Sequence, residues 1–273
     1  MNRTFARLLA VAALAGIAAC TDVTSPANIS SALLSEAQVT NDLAVSSAEV
    51  VANDIGEMIA NEVFAGMPSA RPSFDLFGSP PGVTVNRTRS CLDQNGQAQS
   101  QCDPLTTASI VFTLTMNGSF TRTASGPRGT DSMTVAVHRT RNTTVSGLLG
   151  TETSRTHDGL GTSTDTTHLV GVHENVTLER VVAEASVDSV QSVVFNLPRA
   201  ANPFPVSGKI VRRVTGTVAL TVNGQTANRA IDRVVTVTFP PDGQGNVTMT
   251  ITAGGTTKTC QLNLVTRQVT GCQ

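Results

Sequence analysis

Tyrosine and tryptophan are absent from this chain of 273 residues, and phenylalanine supplies all nine of its aromatic side chains. Proteins that bind single-stranded nucleic acid stack the bases on aromatic faces, which are scarce here. Charge is nearly balanced, with 19 basic and 20 acidic residues, so no basic excess is available to bind phosphates. We therefore expect no nucleic-acid partner.

Recognisable catalytic motifs are missing as well. The sequence contains no Gly-x-Ser-x-Gly nucleophile elbow and no glycine-rich phosphate loop followed by lysine. Its carboxylates are too widely spread to identify a glycosidase pair. These absences predict a protein that is not an enzyme and needs no cofactor, with an enzyme of unrecognised type as the alternative.

Histidine is too sparse to form an obvious metal site. Among the four histidines, His168 and His173 are the weak candidates for metal ligands. They lie five positions apart, so on one β-strand they point to opposite faces of the sheet. Only a bulge, for example at Gly171, would bring them together. We predict exposed polar residues here and no metal.

The first twenty residues have the organisation of an export signal. Arg3 and Arg7 precede the uncharged run 8–19, which spans about 18 Å as a helix and is too short for a hydrocarbon core of about 30 Å. The run leads into Ile17-Ala18-Ala19-Cys20, which resembles the lipobox of bacterial lipoproteins. The resemblance implies that residues 1–19 are removed and that the thiol of Cys20 receives a diacylglycerol.

Cysteine parity supports this interpretation over ordinary secretion. The chain has five cysteines, so acylation of Cys20 leaves four that can pair, whereas cleavage by a general signal peptidase leaves an odd thiol. The expected location is therefore the bacterial cell envelope, with the acyl chains on Cys20 in a lipid bilayer. Thr21 stands where an aspartate can signal inner-membrane retention, which slightly favours the outer membrane. The remaining sequence is not assigned to a family.

Residues 20–40 are predicted to form the lipidated cysteine and a flexible tether, although a short helix within the tether is the alternative. The single domain that follows, 41–273, begins with the one convincing helix, at about 46–65. Ser46 and Glu49 have the spacing of a capping box. Apolar residues recur at helical intervals, and acidic residues form the polar face between them. The apolar positions are Val51, Ile55, Met58, Ile59 and Val63.

From Val83 onward the pattern is that of β-strands. The 39 threonines and the frequent valines favour strands, and many segments alternate aliphatic residues with threonine. Short turns between successive strands require antiparallel pairing. The predicted fold is mainly β: an antiparallel meander that forms a curved sheet, half-barrel or sandwich, with the helix packed on it.

Turn signals give the expected strand ends. We predict turns at Asn117–Gly118, Asn223–Gly224 and Gly254–Gly255. The segment 151–167 has almost no apolar residue, so it is expected to be an exposed polar ribbon with a turn at Asp158–Gly159.

The Val-rich segment that follows, Leu169 to Leu197, is expected to form two strands with a break near 184–186. The assignment of 178–187 remains open between strand and helix.

Two disulfides are predicted from hairpin registers. A two-residue turn at Gly96–Gln97 places Cys91 opposite Cys102, whereas a turn at Asn95–Gly96 would place Cys91 opposite Ser100. Such a local disulfide closes a loop of about a dozen residues and contributes about 2–3 kcal/mol.

The second predicted disulfide joins Cys260 and Cys272. A hairpin centred on Thr266 places these two cysteines opposite each other. Neither pair has the spacing or the nearby histidines of a zinc site.

Two function hypotheses follow. The first is a membrane-anchored envelope lipoprotein with a structural or binding role. The second is a carrier of a lipid or another small hydrophobic ligand, because a sheet plugged by a helix resembles, in architecture alone, the half-barrels that ferry lipoproteins or lipids. A carrier requires an apolar cavity of several hundred cubic ångströms between sheet and helix.

Overall fold

The computed structural model describes residues 35–65, 82–126, 129–173, 176–199 and 201–272. The predicted lipobox, Ile17 to Cys20, lies outside these ranges. The described elements are α1 Glu36–Phe64, β1 Val83–Leu92, β2 Ala98–Gln99, β3 Ser109–Gly126, β4 Gly129–Ser146, β5 Ser154–His173, β6 Val176–Asn196, β7 Ser207–Val222, β8 Gln225–Thr238, β9 Asn246–Ala253, β10 Thr256–Asn263 and β11 Val269–Thr270.

All eleven strands belong to one open antiparallel sheet that is not closed into a barrel. From β3 to β11 each strand pairs with the next one in the chain, and β1 pairs with β2 on one side and with β3 on the other. The predicted mainly-β meander with an N-terminal helix is therefore confirmed. Strands β3 to β6 are long, at 18 to 21 residues each.

The helix α1 begins at Glu36, ten residues before the predicted capping box at Ser46. Its 29 residues give a length of about 43 Å. The earlier start follows from Val39 and Leu43, which continue the apolar spacing toward the N-terminus and are buried. Residues 36–40, expected in the tether, therefore belong to the helix.

Within the described ranges, no helix is both long enough and apolar enough to cross a bilayer.

One face of the sheet, called the inner face below, packs against α1. Aliphatic side chains from β6 to β10 form one hydrophobic cluster with the apolar residues of the helix. On the opposite, outer face, threonines from neighbouring strands meet in pairs, as at Thr221 and Thr226, whose hydroxyl oxygens are 2.8 Å apart. Burial of the aliphatic inner face stabilises the fold by about 25 cal/mol for each Å² removed from water.

Two predicted turns are confirmed and one is wrong. Two-residue turns at Asn223–Gly224 and Gly254–Gly255 join β7 to β8 and β9 to β10. At Asn117–Gly118 the strand β3 continues without a turn. A Cβ on Gly118 would lie 2.7 Å from the Cα of Val83, so glycine here permits the close approach of β1.

The predicted turn at Asp158–Gly159 is also wrong, because both residues lie within β5. The register between β5 and β6 shifts between His157 and Gly159, and the Asp158 carboxylate accepts a hydrogen bond from the backbone N–H of Ser192 over 2.7 Å. The Asp-Gly pair therefore marks a β-bulge and not a hairpin tip.

The predicted break near 184–186 is absent within β6, which runs from Val176 to Asn196. The open assignment of 178–187 is thereby resolved as strand. Burial alternates from one residue to the next between 182 and 190, which is the period of a strand and not of a helix.

Candidate functional site

Four polar side chains in the C-terminal half of α1 point toward the inner face of the sheet. Asp54, Asn61 and Glu62 are at most 1% exposed and Glu57 is 9% exposed. Alternation along β4 to β7 places arginine, histidine and aspartate side chains on the inner face opposite them. The two sets of charges meet in two clusters between helix and sheet.

The first, called the central cluster, surrounds the guanidinium group of Arg141 on β4. Its Nη1 is paired with the Asp54 carboxylate and lies 3.4 Å from Oε2 of Glu57. Its Nη2 lies 3.6 Å from Oδ2 of Asp188 on β6. A second arginine, Arg212 on β7, places Nε 3.2 Å from Oδ1 of Asp188. Three strands and the helix are thus joined by buried charge.

Burial changes the protonation equilibrium of two carboxyl groups in the central cluster. It raises the pKa of Glu57 and of Asp188, against the opposing effect of the nearby arginines. For Arg141, the charges of Asp54 and Glu57 outweigh burial and raise the pKa above its ordinary value. The arginine therefore stays charged, while the folded protein favours protonation of Glu57 and Asp188.

The second, called the terminal cluster, lies near the C-terminal end of α1 and is organised around Glu62. Oε2 of Glu62 is 3.0 Å from Nη1 of Arg155 and 3.7 Å from Nε of Arg199. Oε1 of Glu62 is 2.9 Å from Nε2 of His157. Arg155 also binds Glu152, with Nη2 and Oε2 2.7 Å apart. These contacts connect the helix to β5 and to the loop after β6.

His157 is fully buried, and burial lowers its pKa, although the hydrogen bond to Glu62 opposes this. The ring is therefore neutral at pH 7, and its Nε2–H donates to the Glu62 carboxylate, which can only accept. Burial would raise the pKa of Glu62, but the hydrogen bond from His157 and the charges of Arg199 and Arg155 lower it. The pair thus consists of a neutral imidazole and an anionic carboxylate.

Phe195 on β6 completes the terminal cluster. Its ring meets the His157 ring edge-on, with centroids 5.4 Å apart. The guanidinium carbon of Arg199 lies 3.5 Å from the Phe195 centroid, a cation–π contact. Burial lowers the pKa of Arg199 to about 10. The aromatic ring therefore fixes the positions of both the imidazole and the guanidinium.

The clusters provide buried, paired charge that fixes the helix on the sheet. A lone partner in such a cluster would be an uncompensated charge in a low-dielectric environment, so both clusters favour one position of the helix. Among the described residues, no group of three or more His, Cys, Asp and Glu side chains is placed to hold a metal ion.

The weak metal candidates His168 and His173 both lie on β5. Nε2 of His168 is 2.7 Å from Oε1 of Glu179, and the side chain is 42% exposed.

The predicted disulfides Cys91–Cys102 and Cys260–Cys272 are both present in the described domain. The register predicted for the first is wrong, because Cys91 pairs with Gln99. The reason is Asp93, whose Oδ1 accepts hydrogen bonds from the backbone of Asn95 and Gln97 and widens the turn. Cys102 therefore reaches Cys91 from beyond the end of β2.

The register predicted for the second disulfide is wrong by one residue, since Gln261 pairs with Thr270. Asn263 accepts backbone hydrogen bonds from Val265 and Thr266 and shapes this turn. Cys20, the predicted lipidation site, lies outside the described residues.

A depression of about 840 Å³ crosses β3 to β7. It is lined mainly by glycine and polar residues, including Asp165 and Glu184, and it opens to solvent. It therefore differs from the enclosed apolar cavity between helix and sheet that a lipid carrier requires.

Sequence reasoning predicted acidic residues on the polar face of the helix but missed their partners, which are Arg141, Arg155, His157 and Arg199, and missed Arg212 beside them. The available signal was the presence of arginines such as Arg141 and Arg212 in strand-forming sequence, where they could compensate the charge of the acidic helix. Comparison with protein-family models, with curated proteins and with solved structures finds no match to this chain, so its function is inferred from geometry and sequence alone.

Proposed function

We propose that this chain is a lipid-anchored protein of the bacterial cell envelope with a structural or binding role and no catalytic activity. The observation that carries the proposal is cysteine pairing. Cys91 bonds Cys102 and Cys260 bonds Cys272, so the four cysteines of the folded domain are used among themselves. Cys20, in its lipobox-like context, is the one that remains for acylation.

Chain length supports the same arrangement. Glu36, the first residue of α1, is 16 positions beyond Cys20. A fully extended segment of this length reaches about 55 Å, which allows the domain to sit clear of the bilayer surface. Two or three acyl chains on one cysteine hold a protein at a membrane far more firmly than one, since each buried methylene contributes about 0.8 kcal/mol.

The anchor is tested by expressing the full chain and its Cys20→Ser variant in a bacterial host and separating membranes from soluble protein. The wild-type chain is expected in the membrane fraction after a high-salt wash, and the variant in the soluble fraction. The matched control changes Cys260 and Cys272 to serine together and is expected to stay with the membrane. A Cys20→Ser variant that remains bound to membranes would contradict the proposal.

The same fractions test the location. A density gradient separates inner from outer membrane, and the wild-type chain is expected to follow the outer membrane because Thr21 replaces the retention aspartate. Recovery with the inner membrane would contradict that part of the proposal alone.

A carrier of a small hydrophobic ligand is the second candidate. It is favoured by the aliphatic inner face on β7 to β10, including Val218, Leu220 and Met249, which would accept an acyl chain if α1 moved away. It is disfavoured by α1 itself, which covers these side chains and leaves them at most 2% exposed. Saturable, one-to-one binding of a fluorescent fatty acid would favour the carrier, and no binding would favour a purely structural or protein-binding role.

A further inference from the structure

We propose that the terminal cluster is an acid-sensitive latch that releases the C-terminal end of α1 from the sheet while the middle of the helix stays bound. The latch consists of Glu62 on the helix and three partners on the sheet side, His157, Arg155 and Arg199, all within 3.7 Å of its carboxylate. All four side chains are at most 6% exposed. The proposal concerns the folded domain and does not rest on lipidation.

The charges of the terminal cluster, in which Glu152 is paired with Arg155, balance only when His157 is neutral. Glu62 faces His157 from α1, and Arg155 faces it from the same strand, β5. Arg199 lies on the loop after β6, and Glu152, on the loop before β5, pairs with Arg155. The two carboxylates balance the two guanidinium groups. A proton on His157 adds one positive charge that no described neighbour of the cluster compensates, in a place from which water is excluded.

The direction of the pH dependence follows from burial. The pKa of His157 is lowered in the closed state from its ordinary 6.5, so the open state, in which the ring is hydrated, binds the proton more tightly. The closed state is therefore fully stable above about pH 6.5 and loses stability as the pH falls through the pKa of the closed form. The lowered pKa of Glu62 acts in the same direction, but only below about pH 4.5.

The central cluster responds to acid with the opposite sign. Burial raises the pKa of Glu57 and of Asp188, so the closed state binds protons there more tightly than the open state. Acidification through these pKa values strengthens the contact at the middle of α1. The helix is therefore expected to open from its end and to remain attached at Asp54 and Glu57.

Opening the end of the helix uncovers a defined apolar surface. Ala65, directly after α1, packs against a small hydrophobic cluster that is separate from the main core. That cluster consists of Cys91, Ile110, Phe112, Val145 and Leu148. In the closed state its members are at most 7% exposed, so opening of the latch in acid would make a covered apolar surface accessible.

The test is amide hydrogen exchange of the full chain at about pH 7.5 and about pH 5, expressed as protection factors so that intrinsic exchange rates cancel. We expect the protection of residues 58–64 to fall about tenfold or more at the lower pH, because the open state binds the proton of His157 more tightly than the closed state does. Protection in β9 is expected to change less than twofold. Unchanged protection at residues 58–64, or an equal loss in β9, would overturn the proposal.

Two variants assign the effect to one imidazole. His157→Gln, which cannot be protonated, is expected to abolish the pH dependence, and His168→Gln, at an exposed histidine, is expected to keep it. A folded His157→Gln variant that still loses protection in acid would overturn the proposal. If that variant does not fold, an NMR titration of the histidine rings in the wild-type protein replaces it. The ring of His157 is expected to titrate below pH 6.5, with the same midpoint as the pH-dependent loss of amide protection. Different midpoints for the two transitions would overturn the proposal.

Discussion

His157 and Glu62 meet across the boundary between sheet and helix, with neither side chain exposed and 2.9 Å between Nε2 and Oε1. They are 95 positions apart in the sequence, so this hydrogen bond exists only when the helix is docked. The same is true of Arg141 and Asp54, which are 87 positions apart. These two contacts therefore report the docked state of α1 directly.

Removing Arg141 from the central cluster is expected to destabilise the protein strongly. Arg141→Ala leaves the carboxylates of Asp54, Glu57 and Asp188 without their shared partner in a buried site. Breaking a buried ion pair in this way costs about 3–5 kcal/mol of unfolding free energy, measurable by chemical denaturation.

The matched control for that substitution is Arg213→Ala on the outer face. Arg213 pairs with Asp232 over 3.5 Å, but both side chains are more than 60% exposed. Its loss is expected to change the free energy by about 0–1 kcal/mol. Equal effects of the two substitutions would show that the buried cluster is not a stabilising contact.

The carboxyl group of Glu57 is expected to make the protein less stable as the pH rises. Burial raises its pKa in the folded state, so the contribution of Glu57 to the free energy of unfolding falls as the pH increases from about 4.5 through that pKa. Glu57→Gln removes this dependence and is expected to be more stable than wild type at pH 7 and equal to it below about pH 4.5. Denaturation curves over this range test the difference, and a less stable variant at pH 7 would contradict it.

Gly216 on β7 is expected to tolerate no side chain. A Cβ at this position would lie 2.8 Å from the Cα of Glu184 on the neighbouring strand. Gly216→Ala is expected to destabilise the fold by about 1–3 kcal/mol, since the backbone of β6 must shift. Gly243→Ala is the control, because a Cβ there meets nothing within 4 Å, and its unfolding free energy should stay close to wild type.

Peptide mapping without reduction is expected to recover Cys91 linked to Cys102 and Cys260 linked to Cys272. Reduction of these links is expected to lower the unfolding free energy by about 2–3 kcal/mol each, as loops of about a dozen residues. A peptide that joins Cys91 to Cys260 would contradict the strand order, because these cysteines lie on β1 and β10, near opposite edges of the sheet.

The architecture was predictable because its signals are local. Alternation of aliphatic residues with threonine and two-residue turns such as Asn223–Gly224 act within a few residues, so strand type and antiparallel pairing follow directly. The long strands were not predictable in the same way. Asn117–Gly118 and Asp158–Gly159 are residue pairs typical of hairpin turns. In this fold Gly118 permits the close approach of β1, and Asp158–Gly159 lies at a β-bulge.

The two buried charge clusters could not be predicted from the sequence, for a different reason. The segment around Arg155 and His157 lacks apolar residues, and such a segment is normally exposed because isolated charge is costly to bury. Here the compensating charge of Glu62 comes from a helix far away in the sequence. Only the folded structure shows that the two polar segments face each other.

Chain order separates the acidic helix from its partners during synthesis. Synthesis proceeds from the N-terminus, so α1 emerges well before Arg141, His157 and Arg212 exist to receive it. Until then its apolar stripe has no sheet to cover, and Asp54, Glu57 and Glu62 have none of their partners on β4 and β5. The helix can therefore dock in its final position only after β4 and β5 have been synthesised.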